Sequence, residues 1–133
     1  QEAVEMATHC LNDDRLDFLD MSLWDVFKEP VDETFAGNSL LEVFAGLERG
    51  QVKLGVAGKI GTPQLADQAM NHEIDWIMLG RAAILQHDFP NRYAADVGFK
   101  PVALPVTRDY LADEGLSVKF IDYMATWPGF VED

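Results

Sequence analysis

The sequence has one cysteine, Cys10, among 133 residues. No intramolecular disulfide can form, and a reducing compartment, the cytoplasm, is the expected setting. Cys10 falls on the apolar stripe of the first helical segment, where a packing role outweighs a nucleophilic one. No apolar run approaches the roughly 18 residues that a bilayer span needs. Basic residues are scarce: 10 Lys and Arg against 23 Asp and Glu leave a formal net charge of −13. That balance argues against nucleic acid and anionic membrane surfaces as partners, since both select a basic face. The histidines, His9, His72 and His87, are widely spaced and read as helix-surface or loop residues, so no metal site is expected. No HExxH, CxxC or GxSxG pattern occurs. The opening Gln1-Glu2-Ala3-Val4-Glu5 has no cationic-then-apolar leader. It reads as the middle of a helix, and the sequence is expected to begin inside a larger protein.

What is present is a hydrophobic content of 48% and a regular alternation of helical and strand patterns. Residues 2–11 put Val4, Ala7, Cys10 and Leu11 on one helical stripe. Leu16 to Ser22 then reads as a strand with Phe18, Asp20 and Ser22 on one face. Ser39 to Glu48 is helical through Leu40, Leu41, Phe44 and Leu47, and Gly50 ends it. Lys53 to Ala57 is a second strand. Thr62-Pro63 starts a helix, Thr as N-cap and Pro at the first helical position; it runs to about His72 and buries Leu65, Ala66, Ala69 and Met70. Asp75 to Leu79 is the third strand. Phe89-Pro90 opens a helix with Tyr93 and Ala94 turned inward. This order predicts a parallel sheet with right-handed crossovers. Pro101 and Pro105 predict an extended connector. Ser117 then caps a last helix whose Phe120, Ile121, Met124 and Trp127 form a packing stripe.

Two segments carry the chemistry. Val56-Ala57-Gly58-Lys59-Ile60-Gly61-Thr62-Pro63 and Ile77-Met78-Leu79-Gly80-Arg81 each read as a buried parallel strand ending in glycine and a cation, about twenty residues apart, the spacing of one βα unit. Glycine admits an anion close to backbone N–H groups, Arg81 offers a bidentate fork and Lys59 a second charge. Together they read as a phosphate cradle of the kind (β/α)8 barrels build after strands 7 and 8. Such a barrel takes about 250 residues, far more than this sequence has. Asp20 and Ser22 have two readings, ligand hydrogen bonding or local loop capping, the second favoured. Asp17 and Asp75 precede strands, at the edge where polar residues serve stability. Trp24, in the loop after the first strand, has two readings, covering a ligand or tucking into the core, the second being the default.

On these residues the sequence resembles the C-terminal part of the NADH:flavin oxidoreductases, the old yellow enzymes. Leu16-Asp17-Phe18-Leu19-Asp20-Met21-Ser22, Val56-Ala57-Gly58-Lys59-Ile60, Leu79-Gly80-Arg81-Ala82-Ala83-Ile84 and His87-Asp88-Phe89-Pro90-Asn91 carry the likeness. So does the closing run Phe120 to Phe130. The resemblance covers nearly the whole sequence. It implies an α/β fold, a partial (β/α)8 TIM barrel comprising roughly strands 6–8 with their helices plus a C-terminal helical extension. Residues 1–97 would supply the βα units, and 98–133 the extension, its terminal helix packing on the barrel.

The resemblance further implies FMN held by its phosphate, with Gly58 and Lys59 presenting backbone N–H groups, and Gly80 and Arg81 adding N–H groups and a guanidinium. Lys59 stands where many members have a second Gly or an Asn. The family reaction passes hydride from NAD(P)H to FMN and then to an electron-poor alkene, the flavin carrying the redox chemistry. Its substrate-anchoring histidines, its proton-donating Tyr and most ring contacts come from the first five strands, and none of those segments is present. No catalytic residue is therefore assigned, and the 133-residue chain is expected to be inactive alone. Two other readings stay open: another phosphate- or FMN-binding TIM barrel, and a non-catalytic half-barrel that self-associates. Open sheet edges and an uncovered face predict a homo-oligomer.

Overall fold

The computed structural model describes residues 1–132. Among them the fold is mixed α/β, with seven α-helices and one three-stranded parallel sheet. Two compact units divide the chain: residues 1–60 with 64–79, and residues 61–63 with the chain from Gly80 onward. No helix among the described residues is long and apolar enough to cross a membrane.

The first unit is built on the sheet. Its elements are α1 (Glu2–Leu11), β1 (Phe18–Ser22), α2 (Leu40–Ala45), β2 (Lys53–Ala57), α3 (Pro63–Met70) and β3 (Trp76–Met78). The strands lie in the order β1-β2-β3, all parallel, in the registers Asp20↔Gly55↔Trp76 and Met21↔Val56↔Ile77. Side chains alternate across a strand, so each row faces one side of the sheet. Leu54 and Val56 face a core that holds Leu11 of α1, Leu41 and Ala45 of α2, and Ala66 and Ala69 of α3, with Leu19, Met21 and Ile77 packed on it. α2 starts with a capping box: Ser39 Oγ accepts from Glu42 N, and Glu42 Oε2 accepts from Ser39 N at 2.6 Å. Asp75 Oδ2 accepts from Leu54 N at 2.8 Å and from Arg49 Nη1 at 2.7 Å. It ties β3 to β2 at the edge where a stabilising role is expected.

The opposite face is exposed along β1. Phe18 is 56% exposed there, and Asp20 and Ser22 are also exposed. Trp76 lies flat across its own row: its Nε1 donates to Asp20 Oδ1 at 3.1 Å, and Phe18 meets its ring edge-on at 5.6 Å. A Cβ on Gly55 would collide with the Trp76 indole and with Asp20 Oδ1. The middle of the row is glycine because the indole occupies the space above it.

The second unit is helical: α4 (Arg81–Leu85), α5 (Phe89–Ala95), α6 (Arg108–Asp113) and α7 (Val118–Ala125). Its core gathers Leu85, Val106, Leu111, Ile121, Met124, Phe130 and Val131. Thr107 and Ser117 cap α6 and α7 through their hydroxyls, leaving few orphan N–H groups at those ends. Buried Gln86 accepts from Val102 N at 3.2 Å, and Tyr110 Oη donates to Leu85 O at 2.8 Å. The chain end returns beside Val106, which donates to Phe130 O and accepts from Glu132 N.

Several expectations change. Trp24 is 80% exposed rather than tucked inward, because a tight turn at that residue swings the side chain into solvent. Met70 is 45% exposed: α3 stops there, with no further turn to carry it over the sheet. Tyr93 is half-buried and Ala94 exposed. α5 docks through its first residue instead, Phe89 meeting Phe99 edge-on at 5.0 Å. On α7 the inward positions are Ile121 and Met124. Phe120 is 39% exposed and stacks along the helix on Tyr123. α4 and α6 are helices that the periodicity did not predict.

Candidate phosphate-binding turns

The first Gly-cation segment lies at the C-terminal end of β2, the end where parallel sheets bind ligands. After β1 the chain keeps pairing for one more step, Leu23 N donating to Ala57 O at 2.8 Å. It then folds into a three-residue turn: Asp25 N donates to Leu23 O at 2.6 Å around Trp24, whose φ is +60°. This left-handed γ-turn is the rare and strained form, and a bulky residue at positive φ is a genuine outlier. Val26 N, next in line, donates to Gly58 O at 3.3 Å. Gly58 itself has φ +154°, and a Cβ there would come within 2.9 Å of Trp24 C and Asp25 N. Glycine is required twice over, by conformation and by the backbone pressed against it.

Lys59 follows in the left-handed region, φ +50°, and Ile60 is buried. Among the described residues, no acceptor receives the N–H of Lys59, Ile60 or Gly61. Successive N–H groups without protein acceptors are a feature that anion-binding turns share. The Lys59 ammonium is not free: its Nζ donates to Asp25 Oδ2 at 3.0 Å. Asp25 Oδ1 in turn accepts from Phe27 N at 3.3 Å. The hydrogen bond from Lys59 outweighs partial burial and holds the Asp25 carboxyl below its ordinary value. The second charge expected for a phosphate is therefore paired at home. Asp25 is the site residue that sequence reasoning missed; its place one step after an outlying Trp24 left no pattern to find.

Of the second segment, Ile77 to Leu79 belong to the first unit, and Gly80 and Arg81 to the second. Gly80 precedes α4 with φ −89° and ψ −96°, and a Cβ there would meet nothing within 4 Å. No protein packing explains that glycine. Arg81 is exposed and has no carboxylate partner among the described residues.

Asp20 and Ser22 are not part of either turn. Asp20 accepts from the Trp76 indole rather than capping a loop. His87 has a partner that its spacing in sequence did not disclose: Glu114 Oε2 lies 2.7 Å from His87 Nδ1 and accepts from His87 N at 2.9 Å. Burial would raise the Glu114 carboxyl, but the His87 N–H and ring outweigh it and hold it below its ordinary value. Asp88 shares this cluster, with ligand-type atoms within 4.8 Å of one another, and its Oδ1 accepts from Arg92 Nε at 2.8 Å. The cluster is satisfied by its own hydrogen bonds and ion pairs.

No family model, no curated protein and no solved structure matches the chain.

Proposed function

We propose that the chain is the C-terminal portion of an FMN-dependent NAD(P)H:flavin oxidoreductase of the ene-reductase type, and that Gly58, Lys59, Gly80 and Arg81 are its phosphate contacts. The observation that carries this reading is the turn at Gly58–Gly61: N–H donors without protein acceptors, at the end of a parallel strand, suit an oxyanion. The open space at Gly80 and an Arg81 side chain without a carboxylate partner among the described residues support the same use. Lys59 contributes its main chain, and its ammonium stands paired with Asp25 beside the turn. In the intact enzyme FMN would supply the hydride relay from NAD(P)H to an electron-poor alkene, and these residues would anchor its phosphate.

The finer architecture belongs to the same proposal. β1, β2 and β3 correspond to strands 6, 7 and 8 of a (β/α)8 barrel in the cytoplasm. The all-parallel order and the helix-covered face support it, because barrel strands turn one face outward to helices and the other inward. The catalytic groups would lie on strands that this chain lacks.

Titration of the chain with FMN, riboflavin and inorganic phosphate tests the assignment. Weak binding that requires the phosphate is expected; riboflavin binding as tightly as FMN would refute it. NADH-dependent reduction of 2-cyclohexenone with added FMN should not proceed, and robust turnover would overturn the inactivity of the isolated chain. A second reading, a self-associating half-barrel, is favoured by the open face around Phe18 and Trp76 and by unpaired edges at β1 and β3. Light scattering at tens of micromolar should then give more than a monomer mass, and a monomer mass would dismiss it.

A further inference from the structure

We propose that Asp25 is a built-in competitor for the anion site, holding the Lys59 ammonium until a phosphate binds and then yielding it. The inference rests on reading Gly58–Gly61 as a phosphate turn, and adds the residue that sets its affinity.

Three features converge on Asp25. The strained γ-turn at Trp24 and the contact of Gly58 with the Trp24–Asp25 backbone fix where Asp25 stands relative to the free N–H groups. Strain of this kind persists only where surrounding structure over-determines it, and it concentrates at ligand clamps. The carboxylate then reaches Lys59 Nζ at 3.0 Å from the adjoining loop. Finally, the Lys59 side chain is 47% exposed and that of Asp25 25%. Water screens such a pair and its net stabilisation is small, so a dianion already held by main-chain N–H groups can displace the carboxylate from the ammonium. Asp25 keeps its other oxygen on Phe27 N and is left facing the anion as a like charge. In a chain of net charge −13, this local contest decides whether an anion is admitted.

The test uses the chain itself and inorganic phosphate, titrated calorimetrically at low ionic strength. Asp25→Asn removes both the competitor and the repulsion, and should tighten phosphate binding about tenfold, the size expected of a charge-assisted contact. The gain should shrink as salt is added. Lys59→Met should weaken binding severalfold, and in that background Asp25→Asn should recover part of the loss, because the unneutralised Asp25 carboxylate then repels the anion directly. Wild-type chain provides a further readout: the Lys59 Nζ and Cε resonances should shift on adding phosphate. That measurement decides the matter even where a variant fails to fold. Asp25→Asn binding phosphate no more tightly than wild type, or unmoved Lys59 resonances at saturation, would overturn the proposal and leave the phosphate turn standing. Absence of phosphate binding in both wild type and Asp25→Asn would overturn the turn and the proposal together. Inorganic phosphate binding alongside riboflavin binding as tight as that of FMN would remove the flavin assignment alone.

Discussion

The two units solve the same problem, making a core from short elements, by different means. In the first unit a sheet does the organising: β2 runs through the centre, Leu54 and Val56 are fully buried, and three helices cover one side. Among the described residues of the second unit, no strand exceeds an isolated bridge between Val106 and Val131. Helices of five to eight residues are too short to stand alone. Side chains that capture main-chain groups stitch them together: Gln86 on Val102, Tyr110 on Leu85, and Glu114 on His87. One unit rests on apolar burial in a repeating ladder, the other on apolar burial plus particular polar contacts.

The largest effects should come from the cores. Leu54→Ala and Met124→Ala each remove a fully buried side chain and should cost about 2–5 kcal/mol. Hydrogen exchange then tells the units apart: Leu54→Ala should expose β2 amides and Met124→Ala α7 amides, whereas uniform loss in both variants would erase the distinction. A smaller effect is expected from Glu114→Gln, about 1–2 kcal/mol for weakening a charge-assisted contact. The Glu114 carboxyl sits below its ordinary value when folded. Its contribution is therefore present above the ordinary carboxylate range and is lost as pH falls through the folded value. Acid should loosen α6 less in Glu114→Gln than in wild type, and an unchanged acid profile would mean the His87 contact contributes nothing. The smallest effect, and the only gain, is expected at the strained turn. Trp24→Gly should raise stability by roughly 0.5–1 kcal/mol, because glycine accepts positive φ and the exposed indole has little packing to lose. A lower urea midpoint would show that the indole packs on something after all.

The same contrast explains what could be read from the sequence. β2 was legible to its end residues, Lys53 and Ala57, since a short apolar run between polar residues admits few alternatives. The cap at Ser117 was legible because capping chemistry is local. α4 and α6 escaped because five and six residues give barely more than one turn of periodicity. Asp25 and Glu114 escaped for a different reason. Lys59 and Asp25 are 34 positions apart, and His87 and Glu114 are 27 apart. Gly58, Lys59, Gly80 and Arg81 stood out by residue type at a regular spacing. Their electrostatic neighbours did not, since pairing across such separations is decided by loop geometry.

Trp76, laid over Gly55 onto Asp20, has a consequence for how this sequence can drift. The three positions form one row of the sheet and are locked to one another. Any side chain at position 55 evicts the indole, and an evicted indole leaves Asp20 without its donor and Phe18 without its ring partner. Substitutions there cannot be accepted one at a time at low penalty. A library randomised at positions 20, 55 and 76 together should return its survivors as matched sets, with glycine at 55 recurring wherever a large ring is kept at 76.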